Sequence, residues 1–127
     1  MNNLGEIAVA AREHAFAPFS KFRVGAALED SLGRIHTGCN VENATYGLTI
    51  CAERVAVFKA ISEGARQFIR IAIAADTDQL TPPCGACRQI LWEFCGEIEV
   101  LLVNPRGASE SMRLKDLFPR PFDANFL

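Results

Sequence analysis

The sequence has no run of about 18 apolar residues, so no segment of it is predicted to span a membrane. Its beginning, MNNLGEIAVAAREHAF, lacks the basic stretch followed by an apolar one that marks a signal peptide. The sequence also has no large excess of positive or negative charge, because it contains 13 Lys and Arg and 15 Asp and Glu, which gives a net charge of −2. This charge predicts no broad basic surface that could bind the phosphates of a nucleic acid. These absences favour a cytoplasmic protein that binds a small molecule, with neither a membrane nor a nucleic acid as its partner.

Histidine is scarce, with two residues, whereas there are five cysteines in the 127 residues. An odd number of cysteines without an export signal argues for a reducing compartment, where clustered thiols bind metal or react more often than they crosslink. The length suits one domain, residues 1–127, whose core is large enough to need no disulfides. The two histidines, His14 and His36, are expected on the surface or in packing contacts. The cysteines are therefore the first candidates for chemistry.

Hydrophobic spacing predicts an alternation of helices and strands. Helices are predicted at 2–16, 50–61 and 84–94, with a helical turn at 114–118. Strands are predicted at 21–29, 34–39, 68–75 and 98–103, and residues 105–112 are predicted as a loop. Apolar helix positions read as core, namely Val55, Phe58, Ile61, Ile90 and Leu91. Strands separated by helices favour parallel pairing, and the first hairpin favours one antiparallel pair. We therefore expect an α/β fold with a mixed sheet of four or five strands and helices on both faces.

Three of the cysteines lie at predicted helix starts. Cys51 opens one helix, and Cys84 and Cys87 lie in Pro-Cys-Gly-Ala-Cys at the start of the next. A helix N-terminus has unpaired N–H groups and a partial positive charge, which both favour the thiolate. If the two helix starts meet at one sheet edge, three thiolates meet there as well. Three protein ligands with an open position are typical of catalytic zinc.

Other readings of the cysteines stay open at this point. A lone Cys-x-x-Cys can be a redox pair, and a closed site would recruit a fourth cysteine. Cys95 ends the helix that Cys87 begins, about 12 Å away, so the two cannot share an ion. Cys39 is not excluded by distance, but a cysteine at a strand end is more often a packing residue.

Glu53 follows Cys51 by two residues. Alone, a carboxylate there would be read as a complement to the helix dipole. Together with the cysteines, Glu53 forms the pattern Cys-x-Glu followed by Pro-Cys-x-x-Cys, which is the signature of zinc-dependent nucleobase deaminases. Accidental assembly of such a multi-part motif is improbable, which favours an enzyme.

The likeness extends beyond the motif. The chain closely resembles the small homotetrameric cytidine deaminases in three stretches, residues 18–28 (PFSKFRVGAAL), 38–63 (GCNVENATYGLTICAERVAVFKAISE) and 83–89 (PCGACRQ). With Leu-Phe-Pro at 117–119, the resemblance covers roughly residues 4–122. One departure is Phe19, where that family commonly has tyrosine. The resemblance implies a three-layer α/β/α fold, a homotetramer, and zinc-dependent deamination of cytidine and 2′-deoxycytidine in pyrimidine salvage.

The resemblance also implies roles for the motif residues. It implies that one Zn²⁺ per subunit is held by Cys51, Cys84 and Cys87. A zinc-bound hydroxide would attack C4 of the pyrimidine, and Glu53 would carry protons from the water to ring N3 and to the leaving amine. Arg54 matches an arginine that hydrogen-bonds the cysteine ligands, and the backbone of Ala52 matches one that contacts the pyrimidine carbonyl.

The remaining site residues follow from the same resemblance. Asn40 and Glu42 match the pair that binds the ribose 3′-hydroxyl, and alternation places both side chains on one side of an extended segment. Phe22 matches the aromatic residue that packs on the nucleoside. Phe122 matches one supplied to the base by a neighbouring subunit, and Tyr46 is expected near the sugar across a subunit boundary.

Alternative functions remain. Blasticidin S deaminases share Cys-Ala-Glu and Pro-Cys-Gly-x-Cys-Arg-Gln but lack the Asn-Val-Glu-Asn-Ala-Thr-Tyr-Gly of residues 40–47. Polynucleotide deaminases usually need a basic surface, which the charge disfavours. A non-catalytic, zinc-stabilised interaction domain would leave both Glu53 and the missing fourth ligand unexplained. Cytidine is therefore the favoured substrate.

Overall fold

The computed structural model of the protein describes residues 3–127 and has a five-stranded sheet as its central layer. The strands are β1 (Val24–Asp30), β2 (Ile35–Cys39), β3 (Phe68–Ala75), β4 (Glu99–Val103) and β5 (Ser109–Arg113). The helices are α1 (Leu4–Ala11), α2 (Ala52–Ser62), α3 (Gly85–Cys95) and α4 (Leu114–Leu117), with 3₁₀ turns at Arg12–His14, Tyr46–Leu48 and Ala124–Phe126. Within these described residues no helix is long and apolar enough to cross a membrane.

The strands lie in the order β2-β1-β3-β4-β5. The β3–β4 pair is parallel and the other three pairs are antiparallel. The predicted mixed sheet is therefore confirmed. Parallel pairing across a helix holds for β3 and β4 but is wrong for β2 and β3, because β1 lies between them and pairs with both.

Helices cover both faces of the sheet. On one face α1 packs through Leu4 and Ala8 against small residues of the central strands, Ala27, Ala72 and Ala74. On the other face α2 and α3 bury the larger side chains, among them Leu28, Ile71 and Ile73. Central strands buried on both faces read as continuous apolar runs, which is why residues 68–75 were predicted with the bounds that the structure has.

The predicted loop at 105–112 is wrong in its second half, where Ser109–Arg113 forms β5 antiparallel to β4. The segment Ser-Glu-Ser-Met-Arg is mostly exposed and has no apolar alternation, so only its backbone pairing makes it a strand. Other bounds shift as well. The first helix ends at Ala11 and continues as a 3₁₀ turn, and its predicted start at residue 2 lies outside the described residues. The strand predicted from residue 21 begins at Val24.

The prediction of Phe58 as core is wrong. Its side chain is 43% exposed and meets the ring of Phe94 edge-on, with the ring centroids 5.9 Å apart, on the outer surface of α2 and α3. Leu91 is fully buried, whereas Val55, Ile61 and Ile90 are only partly buried. A helix lying on a sheet buries only one stripe of its surface, so apolar residues beside that stripe stay partly accessible.

The two histidines have the surface and packing roles expected of them. His14 is exposed. His36 is buried, with Nε2 at 3.0 Å from Oδ2 of Asp30 and Nδ1 at 3.3 Å from Oε1 of Glu63. The His36 ring thus ties β2 to the end of β1 and to the residue after α2.

Two glycines let the helices approach the sheet closely. A Cβ on Gly25 would meet the backbone of Ala8 in α1 and that of Arg12 in the 3₁₀ turn after it. A Cβ on Gly38 would lie 2.6 Å from the backbone nitrogen of Ala56 and closer still to the carbonyl oxygen of Ala52. Backbone atoms cannot move aside as flexible side chains do, so α2 can start where it does only if residue 38 is glycine.

Replacing Gly38 with alanine should therefore destabilise the protein, because α2 must shift away from β2. We expect the free energy of unfolding of Gly38→Ala to fall by about 1–3 kcal/mol, the usual cost of overpacking, in urea denaturation followed by circular dichroism. Gly47→Ala is the matched control, since a Cβ on Gly47 meets nothing within 4 Å. Equal stability of the two variants would contradict the close approach of α2 to β2.

Candidate metal centre and active site

The starts of α2 and α3 bring three thiols together. Cys51 is the N-cap residue of α2, Cys84 is the N-cap residue of α3, and Cys87 lies in the first turn of α3. Their Sγ atoms all lie within 4.8 Å of one another. Tetrahedral bonds of about 2.3 Å from zinc to sulfur place sulfur atoms roughly 3.8 Å apart, so the three thiols fit around a single ion of this kind.

The charge state of the thiols follows from their contacts. Arg54 donates from Nη2 to Sγ of Cys51 at 3.3 Å. A hydrogen bond from the Cys87 thiol and this guanidinium lower the pKa of Cys51 well below its ordinary value, while the same pairing raises the pKa of Cys87. Soft thiolate donors are the ligands that zinc prefers. The donor set therefore fits Zn²⁺.

The other two cysteines lie apart from this group. Cys95 packs against the core between the sheet and α3, and burial raises its pKa to about 12. Cys39 is half-buried on β2. In the part of the chain that the structure describes, neither belongs to a cluster able to hold a metal ion, which agrees with the packing roles predicted for them.

Glu53 lies in the first turn of α2 and is only 5% exposed. Burial raises its pKa to about 7, and the negative charge of Cys51 adds to the effect. A carboxyl group that titrates near neutral pH can both accept and donate a proton there, which is the property required of a proton shuttle.

A cavity of about 300 Å³ opens beside the thiols. Its wall includes Cys51, Cys84 and Glu53 together with Phe22, Asn40, Glu42 and Ala52. The expected placement of Asn40 and Glu42 on one side of their segment thus agrees with the structure. A larger groove of about 500 Å³ lies between α1 and the β4–β5 turn, and among the described residues in its wall only Glu6 has a charged side chain.

Asn40 and Glu42 also hold the segment that carries Phe22. Asn40 is buried, accepts at Oδ1 from the backbone nitrogen of Val24 at 2.9 Å, and donates from Nδ2 to the carbonyl oxygen of Phe22 at 2.7 Å. Glu42 accepts at Oε1 from the backbone nitrogens of Phe19 and Ser20 at 2.9 and 3.1 Å. The hydrogen bond from the Ser20 hydroxyl, together with these two from the backbone, lowers the pKa of Glu42.

Tyr46 and Phe122 lie outside this cavity. Tyr46 is 76% exposed and meets the ring of Phe19 at 6.1 Å between centroids. Phe122 is 57% exposed, stacks on Phe126, and is fixed by a hydrogen bond from Nε2 of Gln89 to its carbonyl oxygen at 2.8 Å. Neither side chain contributes to the wall of its own chain's cavity.

Sequence reasoning missed several residues at the site. Ser20, Thr49, Thr81 and Pro82 also line the cavity. Arg88 braces the start of α3, because it donates to the carbonyl oxygens of Pro83 at 2.8 Å and Leu117 at 2.7 Å. Ser20 and Arg88 both lie inside stretches already noted for their resemblance, PFSKF and PCGACRQ, but their contacts follow only from the fold.

Comparison with known proteins settles the family. Residues 2–102 match the model for the cytidine and deoxycytidylate deaminase zinc-binding region. The chain belongs to this family. The matched region is the family's zinc-binding region and contains the three-thiol group, so Zn²⁺ is the metal of this chain.

Individual relatives agree with this assignment. The chain is 49% identical over 118 residues to cytidine deaminase of Halalkalibacterium halodurans, and the aligned residues cover 92% of this chain and 89% of that protein. It is 50% identical over 113 residues to cytidine deaminase of Sporosarcina psychrophila, covering 88% and 83%. The crystal structure of cytidine deaminase from Burkholderia pseudomallei superposes with a TM-score of 0.92 at 46% identity, covering 96% of this chain and all of that one. A more distant relative is blasticidin-S deaminase of Bacillus cereus, which is 26% identical over 114 residues.

Removal of one thiol should remove the metal. We expect Cys87→Ala to lose nearly all of its zinc and to melt at a lower temperature, because metal binding contributes directly to the stability of the folded state. Elemental analysis by mass spectrometry and thermal unfolding measure the two effects. Cys95→Ala is the matched control, since it removes a buried thiol outside the group and should keep its zinc. A fully metallated Cys87→Ala protein would remove Cys87 from the ligand set.

Proposed function

We propose that this chain hydrolyses cytidine and 2′-deoxycytidine to uridine or 2′-deoxyuridine and ammonia, a reaction of pyrimidine salvage. The observation that carries the proposal is the position of Glu53, a buried carboxyl group beside the group of three thiols and in the wall of a cavity. The names of the relatives at 49–50% identity support cytidine as the substrate.

In this proposal Cys51, Cys84 and Cys87 hold the zinc ion. Zinc, when bound, lowers the pKa of a water ligand towards 7 and supplies a hydroxide nucleophile at neutral pH. Three thiolates make the site electron-rich, which weakens a metal as a Lewis acid. The guanidinium of Arg54, in contact with Cys51, offsets part of that negative charge.

Glu53 moves the protons. It would take one proton from the attacking water and deliver it to ring N3, as the water oxygen bonds to C4 of the pyrimidine. It would then take the remaining proton of that oxygen and give it to the amino group on C4, so that the C4–N bond breaks, ammonia leaves and the oxygen stays as the carbonyl of uridine. Its burial supports this role, because a pKa raised to about 7 makes the transfer in either direction easy near neutral pH.

The rest of the cavity binds the nucleoside. Phe22 packs on it, the N–H groups at the start of α2 around Ala52 contact the pyrimidine carbonyl, and Asn40 and Glu42 bind the ribose 3′-hydroxyl. A volume of about 300 Å³ lies at the small end of ligand sites, as suits a nucleoside. The 3′-hydroxyl is present in both cytidine and 2′-deoxycytidine, which is why we include both substrates.

We further propose that the active form is a homotetramer in which neighbouring subunits supply Phe122 and Tyr46 to each other's cavities. Exposed aromatic rings of this chain meet in pairs, Phe19 with Tyr46, Phe58 with Phe94 and Phe122 with Phe126, and contiguous apolar surface marks an interface more often than single exposed side chains do. The exposed aromatic residues include Phe16, Phe19, Tyr46, Phe58, Phe94, Phe122 and Phe126. Residues 1–127 would act as one catalytic domain, and its five free thiols suit the reducing cytoplasm.

The first test is substitution of Glu53 by glutamine. We expect Glu53→Gln to keep its zinc and its fold, while kcat for cytidine falls by about 10²- to 10⁴-fold, the usual contribution of general acid–base catalysis. The ultraviolet change from cytidine to uridine gives the rate, and elemental analysis gives the zinc content. The matched control is Glu93→Gln, on the exposed side of α3. Near-normal turnover by Glu53→Gln would end the proton-shuttle proposal.

The second test is complementation between subunits. Glu53→Gln and Phe122→Ala chains, differently tagged and co-expressed, would be purified as mixed assemblies. If Phe122 acts in a neighbour's cavity, a site in a Phe122→Ala chain regains its aromatic partner from a Glu53→Gln chain. We then expect activity above the mean of the two parent variants. Activity equal to that mean would show that Phe122 does not act across a subunit boundary.

A further inference from the structure

The turn at residues 18–22 is attached to the cavity wall through the carboxylate of Glu42, beside the contact of Asn40 with Phe22. The Oε1 atom of Glu42 accepts two hydrogen bonds from the backbone of the turn, at the nitrogens of Phe19 and Ser20. Among the described residues, the Oε2 atom accepts a hydrogen bond only from the hydroxyl of Ser20. The remaining acceptor capacity of the Glu42 carboxylate is therefore on Oε2.

The hydroxyl of Ser20 makes a second contact. It accepts a hydrogen bond from the backbone nitrogen of Phe22 at 3.0 Å. One oxygen atom thus connects the carboxylate of Glu42 to the backbone of Phe22, and all three residues line the cavity.

The turn itself is strained. Lys21 has a φ of 63°, and it is the only non-glycine residue with a positive φ in the described chain. Its ammonium group donates to the carbonyl oxygen of Pro18 at 2.7 Å. A residue keeps such a conformation only where its surroundings fix it, and the Ser20–Glu42 contact is one of the hydrogen bonds that do so here.

We propose that Ser20 is a positioning residue for sugar binding, since its hydroxyl holds the Glu42 carboxylate with the free acceptor site of Oε2 available to the nucleoside 3′-hydroxyl. The inference rests on the proposed function and deepens it. Ser20 acts through Glu42 and not on the reacting atoms. Without the hydroxyl of Ser20, the carboxylate of Glu42 can rotate about the bond that carries it. The hydrogen bond between Glu42 and the sugar then weakens.

The test combines removal of the Ser20 hydroxyl with removal of the 3′-hydroxyl from the ligand. We expect Ser20→Ala to raise the KM for cytidine and the inhibition constant of uridine by roughly three- to tenfold, because hydrogen bonds to a charged group are the stronger ones. The effect on kcat should be smaller. The inhibition constant of 3′-deoxyuridine should stay nearly the same, since that ligand cannot donate to Glu42.

Two variants serve as controls. Ser20→Thr keeps the hydroxyl and should restore the inhibition constant of uridine. Ser111→Ala removes a similar contact, from Oγ of Ser111 to Oε2 of Glu99 at 2.7 Å, on a strand outside the cavity, and should match the unsubstituted protein. Zinc content and melting temperature would be measured for each variant.

Each other outcome overturns the inference. Equal weakening of uridine and 3′-deoxyuridine in Ser20→Ala would mean that the hydroxyl only shapes the turn. An unchanged inhibition constant of uridine would mean that Ser20 positions nothing. If the unsubstituted protein neither deaminates cytidine nor binds uridine, the proposed function fails, and the role of Ser20 fails with it.

Discussion

The meeting of two helix N-termini at one edge of the sheet is the constraint on which the site depends. β2, β3 and β4 run in the same direction, so α2 and α3 both begin near the carboxyl ends of the strands that precede them. The two crossovers also progress across the sheet in the same sense, from β2 to β3 and then to β4. Right-handed connections of this kind place both helices on the same face. The N-cap residues Cys51 and Cys84 are thereby brought within reach of one ion.

The chemistry of the site follows from this placement. The start of a helix favours negative charge, and Arg54 adds a positive charge beside Cys51, so thiolates are stabilised where the metal binds. Glu53 lies next to them and is almost fully buried, and this burial raises its pKa. Cys51 and Glu53, two residues apart in the sequence, therefore have opposite shifts of their pKa. The shift favours the charged form of Cys51 and the neutral form of Glu53. Separation of this kind is how a single site provides both a metal ligand and a proton carrier.

The wall of the cavity depends on backbone contacts outside the group of three thiols. Gly38 lets α2 begin close to β2, and the strained turn that ends at Phe22 is held by Asn40 and Glu42. The side chains proposed to bind the sugar thus also hold the wall of the cavity. The rings of Tyr46 and Phe122 are exposed, as the proposed completion of each site by neighbouring subunits requires.

Local spacing in the sequence was enough for most of the fold and for the centre of the site. Apolar runs and helix breakers predicted four of the five strands and the helices, because burial on both faces and helix ends leave local signals. The strand Ser109–Arg113 was missed, since its residues are exposed and only its pairing with β4 makes it regular. The ring of Phe58 was misplaced for a related reason: apolar character does not say which stripe of a helix faces the sheet.

The sequence by itself determined the metal and the family, and it predicted Glu53 as the proton carrier, because the spacing of Cys51, Glu53, Cys84 and Cys87 is local to two helix starts. Only the tertiary structure decided that these starts meet, and that Ser20 bonds to Glu42 across 22 positions of the chain. Contacts between distant segments depend on the order and direction of the strands and on how closely the helices approach them. These are properties of the packed sheet as a whole, and no local pattern encodes them.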